Sequence, residues 1–354
     1  MSEAPLLEVQ DLRVHIPSQR GLVEAVNGVS FAVAPGEVVG LVGESGCGKS
    51  MLALSIMRLV PEPARIVGGA VRLNGRDLLN LPEAEMRRVR GDQVGMIFQD
   101  PTASLNPVMT VGWQVREAIK AHQSVAAAEC RRRSIDMLRA VRIPEPEVRA
   151  RDFPHQYSGG MRQRVMIAIG MANRPALLIA DEPTTALDVT VQAQIIDLLR
   201  AMNEAMHTAI ILITHNIALV SRFCSRVLVM YAGQVVESGP TLEVFEAPQH
   251  PYTAALLKAV PRVDARLDEG LRAIEGRPPD LARKPAGCAF HPRCTVRLDI
   301  CTREEPLVRA AGHQRSARCW LLEPGGGPAL KSAATQDQRV APGVDAGTKG
   351  RQRT

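Results

Sequence analysis

The segment Gly43-Glu44-Ser45-Gly46-Cys47-Gly48-Lys49-Ser50 constrains this chain more than any other. It fits G-x-x-x-x-G-K-[ST] and lies between an apolar run, Val38 to Val42, and a breaker-free run rich in Leu, Met, Ile and Ala, Met51 to Leu59. That context predicts a strand, a phosphate-cradling loop and a helix opened by the loop. Glycines let backbone N–H groups curl round a phosphate, and the helix N-terminus adds positive potential. Lys49 is then expected to reach the β and γ phosphates and the Ser50 hydroxyl to ligate Mg²⁺. The competing reading is a glycine-rich turn, but the four fixed positions match by chance only about once in 10⁴ starts. Gly43 to Ser50, with Met51 behind them, are the expected nucleotide contacts.

Apolar runs elsewhere extend the pattern to an α/β fold. Leu7 to Val14 and Val29 to Val33 read as strands, with Asn27-Gly28 and Pro35-Gly36 as turn signals. Ala70 to Leu73 reads as a strand turning at Asn74-Gly75, and Val94 to Phe98 as a buried strand. Residues 110–152, rich in Ala, Arg and Glu with Ile135, Leu138 and Val141 at helical spacing, predict a helical insertion. Ala176 to Ala180, a helix from Val191 to Ala205, and Ala209 to Thr214 form a strand–helix–strand unit, which implies parallel pairing. Residues 226–239 read as a hairpin about Ala232-Gly233, and a short helix follows near Tyr252 to Ala259.

Ala176 to Glu182 ends its apolar run in two carboxylates. A lone Asp-Glu pair there is usually a polar strand end. Beside a phosphate loop, Asp181 is placed to hold Mg²⁺ and Glu182 to orient and deprotonate an attacking water. Ser158, Gly159 and Gly160 open a further helix, where unsatisfied N–H groups favour an anion, although a plain turn and N-cap would look the same.

With these motifs in hand, the chain resembles the ATP-binding-cassette family, whose signature reads LSGGQ; Tyr157 and Met161 replace its outer residues. The resemblance implies a P-loop NTPase fold with an ABC-type nucleotide-binding domain and a helical subdomain. It makes Gln99 the Q-loop switch that senses the γ-phosphate and Mg²⁺, Thr185-Ala186-Leu187-Asp188 the D-loop facing a second subunit, and His215 the switch histidine. Glu182, His215 and Gln99 are thus the expected catalytic residues, and Ser50, Gln99 and Asp181 the expected Mg²⁺ site. One family element departs: Leu12-Arg13-Val14-His15-Ile16 holds no aromatic ring to stack on adenine, leaving His15 or Ile16 to pack on the base.

Within the family the chain is similar to ATP-binding subunits of dipeptide and oligopeptide importers, through Gln99 to Pro107, His155 to Met161, Ala180 to Gln194 and Pro248 to Thr253. Asn216 stands where that group commonly has Asp, and Cys47 where it commonly has Ser. The implied organisation is an ATPase domain over 5–250 with a helical subdomain at about 104–160, a C-terminal oligopeptide/dipeptide-transporter extension over 251–323, and a tail from 324 to 354 whose composition predicts disorder. The implied partners are a paralogous ATPase subunit in a heterodimer, two permease subunits and an extracytoplasmic peptide-binding protein. A related nickel or metal importer, or a soluble cassette ATPase acting on nucleic acid, are the alternatives.

The extension carries Cys288, Cys294, Cys301 and Cys319, spaced C-x5-C-x6-C-x17-C. That is looser than the knuckles of structural zinc sites. Four thiolates can hold an iron–sulfur cluster, and the importer resemblance favours [4Fe-4S] over Zn²⁺ or free thiols.

Net charge is +6, from 43 basic and 37 acidic residues, and +3 of it lies beyond residue 323, so charge is no sign of a nucleic-acid partner. Aromatics make up 3% of the chain, too few for a base-stacking surface. The N-terminus shows no signal-peptide pattern and no apolar run reaches bilayer length, so the expected location is the cytoplasmic face of a membrane, reached through permease subunits.

Overall fold

The computed structural model describes residues 4–185, 187–259, 274–312 and 314–323. The D-loop's Ala186 and the tail 324–354 lie outside them. In chain order the strands and helices are β1 (Leu7–Ser18), β2 (Gly21–Val33), β3 (Val38–Val42), α1 (Lys49–Ile56), β4 (Arg65–Leu73), β5 (Arg76–Asp77), α2 (Glu83–Asp92) and β6 (Val94–Ile97). Then come α3 (Pro101–Ser104), α4 (Val111–Lys120), α5 (Ala127–Ala140), α6 (Pro146–Arg149), α7 (Gly159–Met171), β7 (Leu177–Asp181), α8 (Val189–Met206), β8 (Ala209–Ile213) and α9 (Ile217–Phe223). The chain closes with β9 (Arg226–Tyr231), β10 (Gln234–Pro240), α10 (Thr241–Glu246), α11 (Pro251–Lys258), β11 (Arg309–Ala310) and β12 (Ser316–Ala317).

The main sheet runs β11-β12-β10-β9-β3-β8-β7-β6, and its centre, from β9 to β6, is parallel. Central strands buried on both faces need apolar residues at every position, which is why these segments read as unbroken hydrophobic runs. Alternate residues of β3, β7 and β8 enter different cores. Val38, Val42, Leu178, Ala180, Ile210 and Leu212 join the core shared with α4, α5, α7 and α8, whereas Val39, Leu41, Leu177, Ile179, Ala209, Ile211 and Ile213 join the core under α1 and the second sheet. That second sheet is antiparallel, in the order β2-β1-β4-β5.

The helical insertion forms as expected, with Val115, Ile119, Cys130 and Leu138 buried. Asn27-Gly28 corrects the sequence reading: it is no turn but an irregularity inside β2, where Gly28 takes φ +68 beside Arg13 and Asp11. The reversal between β1 and β2 falls at Gln19-Arg20 instead. The hairpin at Ala232-Gly233 is present, with both residues at positive φ, as a tight right-twisted β-turn requires. The C-terminal extension is joined to the ATPase region through the sheet itself: β12 pairs antiparallel with β10, and β11 with β12.

Candidate nucleotide site

Parallel alignment brings the ends of four strands to one edge. Leu41 and Asp181 both lie opposite Ile213, and Ile97 lies opposite Ala180, so the residues following β3, β6, β7 and β8 emerge together. This carboxyl edge is where open α/β sheets bind ligands.

The loop after β3 is held from below by backbone. Gly48 takes φ +107, and a Cβ there would stand 2.1 Å from the Ala25 carbonyl oxygen; at Gly43 it would stand 2.2 Å from that of Met230. Only glycine fits either place. The turn after β9 adds a bond from Gly233 N–H to the Cys47 carbonyl at 2.9 Å. Lys49 is buried, and its ammonium donates to the Gly43 and Glu44 carbonyls at 2.8 and 3.0 Å. Burial pushes the Cys47 thiol up, opposed by the Lys49 charge. The Glu44 N–H donates to the Tyr252 hydroxyl at 2.9 Å and the Cys47 N–H to the Glu44 carbonyl. An anion in this loop would therefore be met by other amides, among them those of Lys49, Ser50 and Met51 in the first turn of α1, which have no intrahelical acceptor.

Asp181 is buried at the end of β7. Burial pushes its carboxyl up, opposed first by a bond from the Ser50 hydroxyl, and its Oδ1 atom has no hydrogen-bond partner. A buried carboxylate oxygen without a donor, beside a serine hydroxyl that opens α1, is the hard-oxygen pair a Mg²⁺ ion takes.

Three segments meet on one atom of the next residue. Glu182 Oε2 accepts from the Thr185 hydroxyl at 2.8 Å and from the Gln99 amide at 3.3 Å, and His215 Nδ1 stands 3.4 Å away. Glu182 is mostly buried, whereas His215 is 62% exposed. Glu182 also sits at φ +47, a left-handed conformation uncommon for a side chain of this kind. Residues in sparsely populated backbone regions cluster at functional sites.

Ser158, Gly159 and Gly160 are not brought to this site. Ser158 caps α7 by accepting from Met161 N–H at 3.3 Å, and the space beside Gly159 and Gly160 is filled by Leu187 and Val191. Tyr157, in the leucine position of the signature, is buried and donates its hydroxyl to the Arg149 carbonyl at 2.9 Å; burial pushes the phenol up to about 12. Asn216 caps α9, its side chain accepting from Ala218 N–H. His15 and Ile16 lie half-buried on β1, opposite Glu24 and Val23 of β2.

The four extension cysteines are free thiols that line one cavity together with Phe290, Val296 and Trp320. Burial pushes Cys288 up to about 11 and Cys319 up to about 12, and raises Cys294. Among the described residues no three His, Cys, Asp or Glu side chains are grouped closely enough to hold a single metal ion. The expectation of a zinc or iron–sulfur site thus has its donor set in one place but no formed coordination geometry. His291 points its Nδ1 at the Cys288 carbonyl, 3.0 Å away, and is a turn residue.

Sequence reasoning missed Tyr252 and Arg293, which touch the phosphate loop from 208 and 249 residues away. Tyr252 lies within the Pro248 to Thr253 stretch that carries the importer resemblance, but nothing there points to the loop, and no local signal marks Arg293.

Comparison with known proteins places this geometry. Residues 26–185 match the model of the ABC transporter family, and residues 236–301 match the oligopeptide/dipeptide transporter C-terminal region. The oligopeptide transport ATP-binding protein OppD of Escherichia coli is 51% identical over 302 residues, covering 85% of this chain and 89% of that one. The dipeptide transport ATP-binding protein DppD of Escherichia coli is 48% identical over 326 residues, covering 92% and 99%. Among solved structures, a dimeric, post-hydrolysis ATP-binding cassette bound to ADP and Pi matches with a TM-score of 0.60 at 27% identity, covering 66% of this chain and 98% of that one. CbiO1 of Clostridium perfringens, part of an ABC transporter complex, matches equally well at 28% identity, covering 69% and 91%.

Proposed function

This chain belongs to the ABC transporter ATPase family, among the peptide-import ATP-binding proteins, and on that premise we propose that it is the ATP-hydrolysing subunit powering uptake of di- and oligopeptides through separate permeases. One observation carries the catalytic assignment: Gln99, Thr185 and His215 converge on a single oxygen of Glu182, beside the cradle of Lys49, Ser50 and Asp181. Glu182 is the general base for the attacking water. Gln99 and His215 fix its carboxylate and stand where a γ-phosphate can be sensed. Lys49 and the first-turn amides of α1 bind the phosphates. Ser50 and Asp181, with Gln99, would hold Mg²⁺, which when bound screens phosphate charge. Replacing Glu182 by Gln tests this: hydrolysis is lost and ATP binding kept, whereas full hydrolysis sinks the assignment.

Ser158 caps α7, and Gly159 and Gly160 pack against Leu187 and Val191, an arrangement that supports a role at the ATP of a second subunit. The dimeric form of the solved relative supports the same reading. The second subunit is a paralogous ATPase, the permeases and a peptide-binding protein complete the assembly, and the chain works at the cytoplasmic membrane face. In keeping with peripheral attachment, no helix of the described residues is long and apolar enough to cross a membrane. The ATPase domain spans 5–250, with its helical subdomain at about 104–160, and the extension spans 251–323. A nickel importer is disfavoured by the peptide-transporter description of the matched C-terminal region.

Four cysteines around one cavity support a [4Fe-4S] cluster there, since four thiol donors are what such a cluster takes. Because burial raises the thiols of Cys288, Cys294 and Cys319, and thiolates are the ligands, loading should release protons and strengthen as pH rises. Iron and acid-labile sulfide in anaerobically purified protein would support the cluster; zinc, or neither metal, would refute it.

A further inference from the structure

The phosphate loop carries one acidic side chain, Glu44, and it is gripped by the far end of the chain. Arg293 Nη1 donates to Glu44 Oε2 at 2.6 Å and Nη2 to Oε1 at 2.9 Å, a two-pronged pair. The Arg293 side chain is 4% exposed and that of Glu44 22%. Arg293 is itself fixed on several sides. Its Nε donates to the Glu275 carbonyl at 2.9 Å, and its guanidinium lies 5.9 and 6.0 Å from the ring centroids of Tyr231 and Phe290. Those rings pack against Tyr252, whose hydroxyl receives the Glu44 N–H. Both the side chain and the backbone of Glu44 are thus set by residues outside the loop.

A loop that binds a polyphosphate gains nothing from a carboxylate of its own. Unpaired, Glu44 would repel the same charge that Lys49 attracts. Paired to a fixed guanidinium, its charge is cancelled and its carboxylate is turned toward the extension. We propose that Arg293 is a positioning residue for nucleotide binding, by which the cysteine-bearing extension neutralises Glu44 and so sets the affinity of the phosphate loop for ATP. This rests on the ATPase reading above and adds the extension to the machinery of that site.

The test is equilibrium binding of MgATP to the full chain carrying Glu182→Gln, so that nucleotide is not consumed. Adding Arg293→Ala is expected to weaken binding roughly tenfold, the scale of one uncompensated charge acting on a polyphosphate in a partly solvated site. The loss should shrink as salt rises. Arg293→Lys, which keeps the charge without the fork, should restore most of the affinity. The decisive variant is the pair Glu44→Gln with Arg293→Ala: removing the stranded carboxylate should return affinity to within about twofold of the parent, since the repulsion goes with it. In the assembled transporter with Glu182 intact, Arg293→Ala should raise KM for ATP while leaving kcat nearly unchanged. Unchanged binding in Arg293→Ala overturns the proposal. So does a double variant as weak as Arg293→Ala alone, because that result means Arg293 only props up the fold. Failure of the ATPase reading looks different: the parent would not bind MgATP, or Glu182→Gln would still hydrolyse it.

Discussion

His250 ties the acid stability of the protein to the junction between ATPase region and extension. It is fully buried at the start of α11, its Nδ1 accepts from Tyr252 N–H at 3.0 Å, and its ring lies 5.9 Å from that of Phe290. Burial lowers its pKa from 6.5 to about 3. The unfolded chain therefore takes up a proton that the folded chain refuses, so stability is complete above the ordinary histidine range and is lost as pH falls from 6.5 toward 3. At pH 5 the unfolded imidazole is protonated to an extent worth about 1.5 pK units, or about 2 kcal/mol. His250→Asn keeps a cap acceptor at the position of Nδ1 and removes the titration. Urea unfolding at pH 7 and pH 5 measures the effect. The variant starts less stable because it leaves ring volume unfilled, but its drop between the two pH values should be about 2 kcal/mol smaller than that of the parent. Glu237, whose carboxylate receives the His250 N–H, is pushed up by burial and so contributes the opposite slope. It is common to both proteins and cancels from the comparison. Equal drops in parent and variant would refute the reasoning.

Other expectations are more direct. Gly48→Ala, which would set a Cβ 2.1 Å from the Ala25 carbonyl oxygen at φ +107, should abolish ATP binding while leaving a cooperative unfolding transition. Arg315→Met, which strands the buried Glu237 carboxylate, should cost about 3 kcal/mol in the same urea titration, and a change under about 0.5 kcal/mol would contradict the pairing. Glu182→Gln should lower hydrolysis by about 10² to 10⁴-fold with binding intact, the usual contribution of a positioned base; single-turnover assays separate the two.

Much of this fold was legible because buried parallel strands and a phosphate loop leave strong local marks. Val38 to Val42, Leu177 to Asp181 and Ala209 to Ile213 are apolar at nearly every position, since both sheet faces are covered. The reading failed at Asn27-Gly28 because the same dipeptide serves a turn or a bulge, and only the partner strand decides. Two helix starts fall two residues before the apolar runs that mark them: α1 begins at Lys49 rather than Met51 and α8 at Val189 rather than Val191, because the caps Gly48 and Asp188 lie inside the preceding motifs. Roles of Asp181 and Glu182 could be assigned from sequence order, but not the meeting of Gln99, Thr185 and His215 on one oxygen, which depends on strand register. The Arg293–Glu44 pair carries no sequence mark at all, since an arginine beside a cysteine looks the same whether it faces solvent or a loop 249 residues away.

The central claim is that ATP hydrolysis at this site powers peptide uptake, and peptide-dependent ATPase activity of the reconstituted transporter tests it most directly. With permeases in a bilayer and a loaded peptide-binding protein on the far side, hydrolysis should rise on addition of di- or oligopeptide and vanish in Glu182→Gln. Hydrolysis indifferent to peptide, yet stimulated by nickel salts in the same vesicles, would contradict it.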